Sequence, residues 1–214
     1  MALLGAILPG FAMPARRKLI LASLAALLAG ATLLGAYHWF QQRYIRPFDT
    51  QPTLFSGAGL QLPAGLAGPG AIRLVHFWDP ACPCNVGNQQ HLAELLARFA
   101  PLGVQFFAVQ KPASQGRLPA TLQALRPLAM PPGAEALPAS PAVAIWDRQG
   151  RLAYFGPYSE GAVCSSANSF IEPVLQALVD GRPVQATQTL AQGCYCPWRA
   201  DSRAPASTLA GAGP

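Results

Sequence analysis

Two cysteines separated by a single proline, Cys82 and Cys84, are the residues of this 214-residue chain whose type and spacing best fit a chemical role. They follow an apolar run that stops at Asp79 and Pro80, and they precede a segment with helical periodicity. The first turn of a helix carries unpaired backbone N–H groups and a partial positive charge, so a thiol held there ionises more readily. Since the thiolate attacks disulfides and binds metals, the stretch predicts a redox or metal site.

The residues on either side predict the elements that position the two cysteines. Residues 72–78 are mostly apolar and are typical of a buried strand. From residue 86 to about residue 100, apolar side chains recur at the spacing of one helix face. Strand, turn, cysteine pair and helix therefore follow one another directly.

Further elements are predicted downstream. The patterns indicate strands at residues 104–109, 142–146 and 151–155, and helices at residues 118–128 and 166–179. An Asp-Arg-Gln-Gly sequence predicts a tight turn between the last two strands. The order β-α-β-α-β-β-α predicts an α/β protein with a central mixed sheet and helices on both of its faces.

The start of the chain carries a membrane signal. The composition, 51% hydrophobic and only 11% charged, favours a membrane segment, and residues 19–40 are an uncharged run long enough to cross a bilayer. Basic residues 16–18 precede the run, which predicts a cytoplasmic N-terminus (residues 1–18) and a single-pass protein of the cytoplasmic membrane with its remainder on the periplasmic or exported side. A cleaved signal peptide is the alternative. Met13 is a second candidate start because the residues before it are apolar.

The remaining segments are assigned by composition. Residues 41–70 are rich in Pro and Gly and predict a linker, and residues 71–180 form the predicted domain. Residues 181–198 are a cysteine-containing extension, and residues 199–214 predict a disordered tail. The net charge of +6 comes partly from the basic triplet, and the other arginines are scattered, so nucleic-acid binding is not predicted.

In their order and spacing, these pieces resemble the thioredoxin superfamily over residues 71–180. Residues 75–78, followed by the cysteines, look like the strand that leads into that family's active site. Residues 140–142, Ser-Pro-Ala, are similar to the place where the family keeps a cis-proline. Residues 147–151 together with Gly156 resemble its final hairpin.

The resemblance implies a thioredoxin-like fold and disulfide exchange with protein thiols and disulfides, without a bound cofactor. Cys82 would be the attacking thiol, Cys84 the resolving thiol, and Pro141 would shape the groove for the partner chain. His76 stands where thioredoxins commonly bury an acid, so it is either a proton relay near neutral pH or a packed strand residue. The single residue between the cysteines departs from the family's two. A Cys82–Cys84 disulfide would therefore close a strained ring. Strain raises the reduction potential, so this pair would be more oxidising than an unstrained cysteine pair.

The sequence leaves the roles of the three other cysteines open. Cys194 and Cys196 repeat the one-residue spacing and are either a second redox pair that docks near Cys82 or structural cysteines that pin the tail. Cys164 is either the unpaired thiol or a partner of a tail cysteine.

Two alternatives to disulfide exchange also remain. The two cysteine pairs with His76 or His91 could make a soft-ligand site for Cu(I) or Zn(II), with Cys82 and Cys84 as ligands. The other alternative is a non-catalytic thioredoxin-like binding module whose cysteines only hold the structure together.

Overall fold

The computed structural model of the chain describes residues 14–49, 55–161, 164–187 and 190–199. Met13 and most of the predicted disordered tail, residues 200–214, lie outside the described residues. The chain divides into two compact units, Met1–Arg43 and Tyr44–Pro214.

The helices and strands follow in this order along the chain: α1 (Ala15–Tyr44), β1 (Ile45–Pro47), β2 (Arg73–Trp78), α2 (Asn85–Phe99), β3 (Gln105–Gln110), β4 (Arg126–Pro127), β5 (Ala139–Ser140), β6 (Ala142–Trp146), β7 (Leu152–Gly156), α3 (Ile171–Val179), β8 (Ala186–Thr187), β9 (Gln192–Cys194) and β10 (Cys196–Pro197).

Helix α1 accounts for nearly all of the first unit's described residues. It includes the whole predicted apolar run, residues 19–40, and by length and composition it could cross a membrane. All seven of its leucines are exposed. A membrane anchor and a signal sequence share these properties.

The second unit is built on a mixed sheet. Among the described residues, six strands pair in the order β4-β3-β2-β6-β7-β8. Strand β2 is central, parallel to β3 and antiparallel to β6, and all of its residues are buried. Burial on both faces explains why the other four residues of β2, apart from Arg73 and His76, are all apolar rather than alternating with polar ones. The fold is thioredoxin-like, as the sequence predicts.

The two faces of the sheet are covered differently. One face packs against both α2 and α3, through Leu92 and Leu175 among others. The other face packs against segments that contain no α-helix among the described residues, including Phe48, Leu60 and Trp198. The expectation of helices on both faces is therefore wrong for the described residues, because loops and the C-terminal segment cover the second face.

Two predicted segments differ from the structure for local reasons. The proposed helix at residues 118–128 is instead a short 3-10 turn, Ala120–Leu122, followed by β4. Prolines flank it at both ends and cannot continue helical hydrogen bonding. The predicted linker, residues 41–70, contains β1 and buries Phe48 and Leu60, so the part described is packed onto the domain.

The predicted hairpin is present. Asp147 accepts hydrogen bonds on its side chain from the backbone N–H groups of Gln149 and Arg151, both at 2.9 Å. Gly150 has φ of 79°, the left-handed conformation that glycine adopts without a Cβ penalty. This turn joins β6 to β7 and fixes their antiparallel pairing.

Candidate functional site

The Cys82-Pro83-Cys84 turn lies between β2 and α2, as the sequence predicts. The Cys82 N–H donates to the Asp79 carbonyl at 2.9 Å, and the Asn85 N–H donates to the Cys82 carbonyl at 3.2 Å. Cys84 caps α2, with no side-chain hydrogen bond to the helix. Both sulfurs are thus held at the N-terminal end of a 15-residue helix, where backbone N–H groups favour negative charge.

Neither cysteine of this turn is bonded to the other. Cys82 forms a disulfide with Cys196, and Cys84 forms one with Cys194, with Cα–Cα distances of 5.9 and 5.4 Å. Both distances lie in the usual range for disulfides. The strained Cys82–Cys84 ring that the sequence suggests is therefore not the oxidised state in the structure, because the C-terminal segment brings a partner to each sulfur.

Strand pairing places the C-terminal segment beside the cysteine turn. We call residues 192–199 the tail segment. In it, β10 runs antiparallel to β5 with Cys196 opposite Ser140, and β9 runs antiparallel to β1 with Cys194 opposite Ile45. The two strands hold both tail cysteines against the domain.

The predicted cis-proline belongs to the same arrangement. The Ser140–Pro141 peptide bond is cis, as the resemblance implies. The sulfur of Cys82 lies 3.9 Å from the carbonyl oxygen of Ser140. Ser140 pairs with Cys196, so the first cysteine, the residue before the cis-proline and the tail segment meet at one place.

Aromatic side chains hold the tail segment further. Trp198 is buried and meets Phe77 of β2 edge to face, with ring centroids 6.0 Å apart. Tyr195 is buried against Phe48, with ring centroids 5.2 Å apart. Its hydroxyl donates to the carbonyl of Ser159 at 3.1 Å. These contacts cover the sheet face that lacks helices.

A charged pair joins the cysteine turn to the tail segment. Lys111, just after β3, donates from Nζ to the Asp79 carboxylate and to the Pro197 carbonyl, both at 2.9 Å. Asp79 also accepts the Ala81 N–H at 3.0 Å, so it stabilises the turn before the cysteines. Lys111 carries no sequence motif, and sequence reasoning missed it.

The four disulfide-bonded cysteines are buried in this oxidised state. Their exposed fractions are 4% for Cys82, 5% for Cys84, 3% for Cys194 and 7% for Cys196. A protein partner can reach the sulfurs only after the tail segment moves. The two strands of the tail segment, β9 and β10, are only three and two residues long and belong to two-stranded sheets separate from the six-stranded one.

The surroundings of His76 bear on the two roles expected for it, a proton relay near neutral pH or a packed strand residue. The ring is fully buried, and burial lowers the pKa of His76 from 6.5 to about 3. Tyr158 keeps its proton because burial raises its pKa, and its hydroxyl oxygen is hydrogen-bonded to Nδ1 of His76 at 2.7 Å. Nε2 has no partner among the described residues. A ring that stays neutral at pH 7 fits the alternative, a packed strand histidine.

Cys164 is the unpaired thiol. It is buried, and burial raises its pKa to about 11 despite a hydrogen bond with Ser159. At neutral pH it is protonated and poorly reactive. The structure does not bring it into either disulfide.

The metal alternative has a partial basis in geometry. The sulfur atoms of Cys82, Cys84 and Cys196 all lie within 4.8 Å of one another. Each is committed to a disulfide, so in this state none is a thiolate ligand. The two predicted histidine ligands lie elsewhere: His76 bonds to Tyr158, and His91 lies 2.8 Å from the Ser169 hydroxyl.

The pairing of the two cysteine motifs does have a signal in the sequence, their shared spacing. Two motifs with the same one-residue spacing can match sulfur for sulfur when their chains run antiparallel. The first cysteine of one then meets the last of the other, as Cys82 meets Cys196 and Cys84 meets Cys194.

Solved structures with a similar fold come from several bacteria. A hypothetical protein from Sinorhizobium meliloti 1021 is 18% identical with a TM-score of 0.50, covering 72% of this chain and 98% of its own. An uncharacterized conserved protein from Geobacillus kaustophilus is 19% identical with a TM-score of 0.47, and the match covers 74% of this chain and 94% of that protein. A putative thiol:disulfide interchange protein DsbE from Chlorobium tepidum is 18% identical with a TM-score of 0.42, and the match covers 59% of this chain and 99% of that protein. At these identities the likeness concerns the fold alone.

The family comparison is more direct. No curated protein matches the chain in sequence. A family profile matches residues 51–198, a span that includes all four disulfide-bonded cysteines. The chain belongs to the family described as a domain of unknown function, DUF6436.

Proposed function

We propose that this protein exchanges disulfides with protein thiols on the exported side of a membrane, with Cys82 as its reactive sulfur. One observation carries the proposal. Cys82, at the start of α2, is covalently joined to an extended strand that docks beside cis-Pro141. A partner chain bound in the same way would bring its own cysteine to the same sulfur, and Pro141 would shape its groove.

In the oxidised form, the protein accepts electrons. Once local opening of the tail segment exposes Cys82, a partner thiolate attacks its sulfur, the Cys82–Cys196 bond breaks, and Cys196 leaves as a thiolate that takes a proton from water. A second partner thiolate then attacks the partner's sulfur in the mixed disulfide and releases Cys82. Two electrons pass to the protein, and the partner becomes a disulfide.

In the reduced form, the reaction runs the other way. The Cys82 thiolate, favoured by the N-terminus of α2, attacks a partner disulfide and forms a mixed disulfide. The resemblance to thioredoxins implies Cys84 as the resolving thiol. The structure adds Cys196 as a second candidate, because both sulfurs lie within 4.8 Å of the Cys82 sulfur. Either attack releases a reduced partner and needs no bound cofactor.

The proposed location follows from the disulfides and α1. Disulfides persist in oxidising compartments and are rare where glutathione keeps thiols reduced. Two disulfides in the second unit therefore support export of that unit. Helix α1 would anchor it as a single-pass segment in the cytoplasmic membrane, with the basic residues before the apolar run on the cytoplasmic side.

Trapping of a mixed disulfide tests the proposal. We would reduce the detergent-solubilised full chain carrying both Cys84→Ser and Cys196→Ser, remove the reductant, and add a protein with an accessible disulfide. Loss of both resolving thiols should leave a stable adduct through Cys82, visible on non-reducing gels and mapped by mass spectrometry. Adding Cys82→Ser should abolish the adduct, whereas adding Cys164→Ser should leave it. Absence of any adduct would contradict the proposal.

A non-catalytic binding module is the second candidate, and the burial of all four bonded sulfur residues favours it. In that case the disulfides only pin the tail segment. The two functions differ in one measurement. A structural pair should resist exchange with reduced, unfolded protein over hours, whereas a redox site should oxidise that protein at a rate lost in Cys82→Ser.

A further inference from the structure

The tail segment places a second cysteine pair directly against the first. We infer that Cys194 and Cys196 are an internal redox partner of Cys82 and Cys84. Reduction of the Cys82–Cys196 bond would move the remaining disulfide from Cys84–Cys194 onto Cys82–Cys84 and would release the tail segment. This inference rests on the proposed function, because it begins with exchange at Cys82.

The first support is the geometry of the tail segment. Strands β9 and β10 flank a single residue, Tyr195, and are docked at once on β1 and β5. Tyr195 is itself buried, and its hydroxyl bonds to the Ser159 carbonyl. The docked segment therefore presents both cysteines together to the turn that holds Cys82 and Cys84.

The second support is the distance between the two disulfides. The Cys84 sulfur, although bonded to Cys194, lies within 4.8 Å of the Cys82 sulfur and of the Cys196 sulfur. The Cys194 sulfur does not belong to this set of three sulfurs that lie within 4.8 Å of one another. A thiolate formed on Cys82 thus has a disulfide sulfur beside it without rearrangement of the sheet, and Cys194 is the group that would leave.

The electrons balance over two reactions, one with the partner and one within the protein. A partner dithiol reduces Cys82–Cys196, which yields the partner's disulfide and two thiols on the protein. The Cys82 thiolate attacks the Cys84 sulfur, the Cys84–Cys194 bond breaks, and Cys194 leaves as a thiolate that takes up a proton. The product holds one disulfide, Cys82–Cys84, and a tail dithiol, Cys194 with Cys196. The ring that closes is the strained one expected from the sequence, and the conformational freedom that the released tail segment regains offsets that strain. Two electrons in total have entered the protein.

This relay makes release of the tail segment a two-electron event. Without it, one reduction would leave the Cys84–Cys194 bond in place, and release would require a second reduction. With it, a single exchange frees the edge of β5 that β10 covers and exposes a dithiol on the tail. Cys194 and Cys196 would then be redox-active residues of the same site rather than staples.

Partial reduction distinguishes the two cases. Trypsin leaves Cys82 and Cys84 on one peptide and Cys194 and Cys196 on another, so the link between the peptides reports the state of the tail segment. The oxidised full chain in detergent would receive one equivalent of dithiothreitol and be quenched with acid over a time series. Alkylation with N-ethylmaleimide and mass mapping would then follow.

The relay predicts loss of the link in the singly reduced protein. The core peptide should carry an internal disulfide and no label, and both tail cysteines should be labelled. Cys164→Ser should give the same products, since that thiol takes no part. A singly reduced form that keeps the link, with label on Cys82 and Cys196, would overturn the inference. The trapping experiment at Cys82 is separate, so an adduct there would leave the proposed function standing.

Discussion

Cys196 lies directly opposite Ser140 in the antiparallel pairing of β10 with β5. Ser140 precedes the cis-proline and its carbonyl lies 3.9 Å from the Cys82 sulfur, so the backbone that pairs with the tail segment also borders the candidate reactive sulfur. The tail segment therefore occupies the site in the oxidised protein. Reaction with any other protein depends on how firmly it is held, and the first two predictions concern its anchors.

Trp198→Ala should loosen the tail segment. The side chain is 4% exposed and packs on Phe77, and truncation of a buried Trp typically costs about 3–5 kcal/mol. Since about 1.4 kcal/mol corresponds to a factor of ten in an equilibrium, dithiothreitol should reduce both disulfides at least about tenfold faster. Leu190→Ala is the matched control because Leu190 is 77% exposed. Equal reduction rates in the two variants would show that Trp198 does not hold the segment.

Lys111→Met should weaken both the cysteine turn and the tail contact. The substitution removes the donor to the Asp79 carboxylate and to the Pro197 carbonyl, and the carboxylate is left largely buried. Loss of a buried charged partner should lower the free energy of unfolding by about 1–3 kcal/mol, measured by urea denaturation with the disulfides intact.

A matched control for this prediction is an exposed ion pair. Arg182→Met breaks the contact of Arg182 with Asp180, in which the side chains are 64% and 43% exposed. Exposed pairs contribute only about 0–1 kcal/mol, so this variant should unfold close to the parent protein. A Lys111→Met variant that is no less stable than Arg182→Met would contradict the role of Lys111.

His76 should make the protein less stable as the pH falls from about 6.5 towards 3. Burial lowers its folded pKa to about 3, whereas in the unfolded chain the pKa returns to about 6.5. Between these values the unfolded state binds more protons, so the free energy of unfolding rises with pH by up to about 1.4 kcal/mol per unit.

The variant His76→Gln isolates this effect. Glutamine does not titrate and still offers an acceptor to the Tyr158 hydroxyl, which now bonds to His76 Nδ1. The slope of stability against pH between 6 and 4 should become shallower than in the parent, as measured by urea unfolding at each pH. Parallel slopes in the two proteins would mean that His76 is charged in the folded state over that range.

Cys164 should resist alkylation in the folded protein. Burial raises its pKa to about 11, so at pH 8 its thiolate fraction is roughly a hundredfold lower than that of an ordinary cysteine. Iodoacetamide should label it at least about a hundredfold more slowly than glutathione, and denaturation should restore ordinary reactivity. Labelling of the native protein at the rate of glutathione would place this thiol at the surface instead.

Local patterns were enough to predict much of the fold. Strand β2, the cysteine turn, α2 and the β6–β7 hairpin are specified by contiguous residues: an apolar run, a helical apolar stripe and an Asp-Arg-Gln-Gly turn. The cis bond at Pro141 followed from resemblance. The predicted helix at residues 118–128 failed because the apolar spacing there competed with flanking prolines, which decided the backbone conformation.

The sequence by itself determined which residues are candidates for the chemistry, because thiols spaced one residue apart before a helix are a local property. Only the tertiary structure decided their bonding. Cys82 and Cys196 are separated by 114 residues along the chain, and their meeting depends on β10 pairing with β5 and on aromatic packing over a sheet face without helices. The neutral state of His76 was decided in the same way, since burial beside Tyr158 arises only when distant segments pack together.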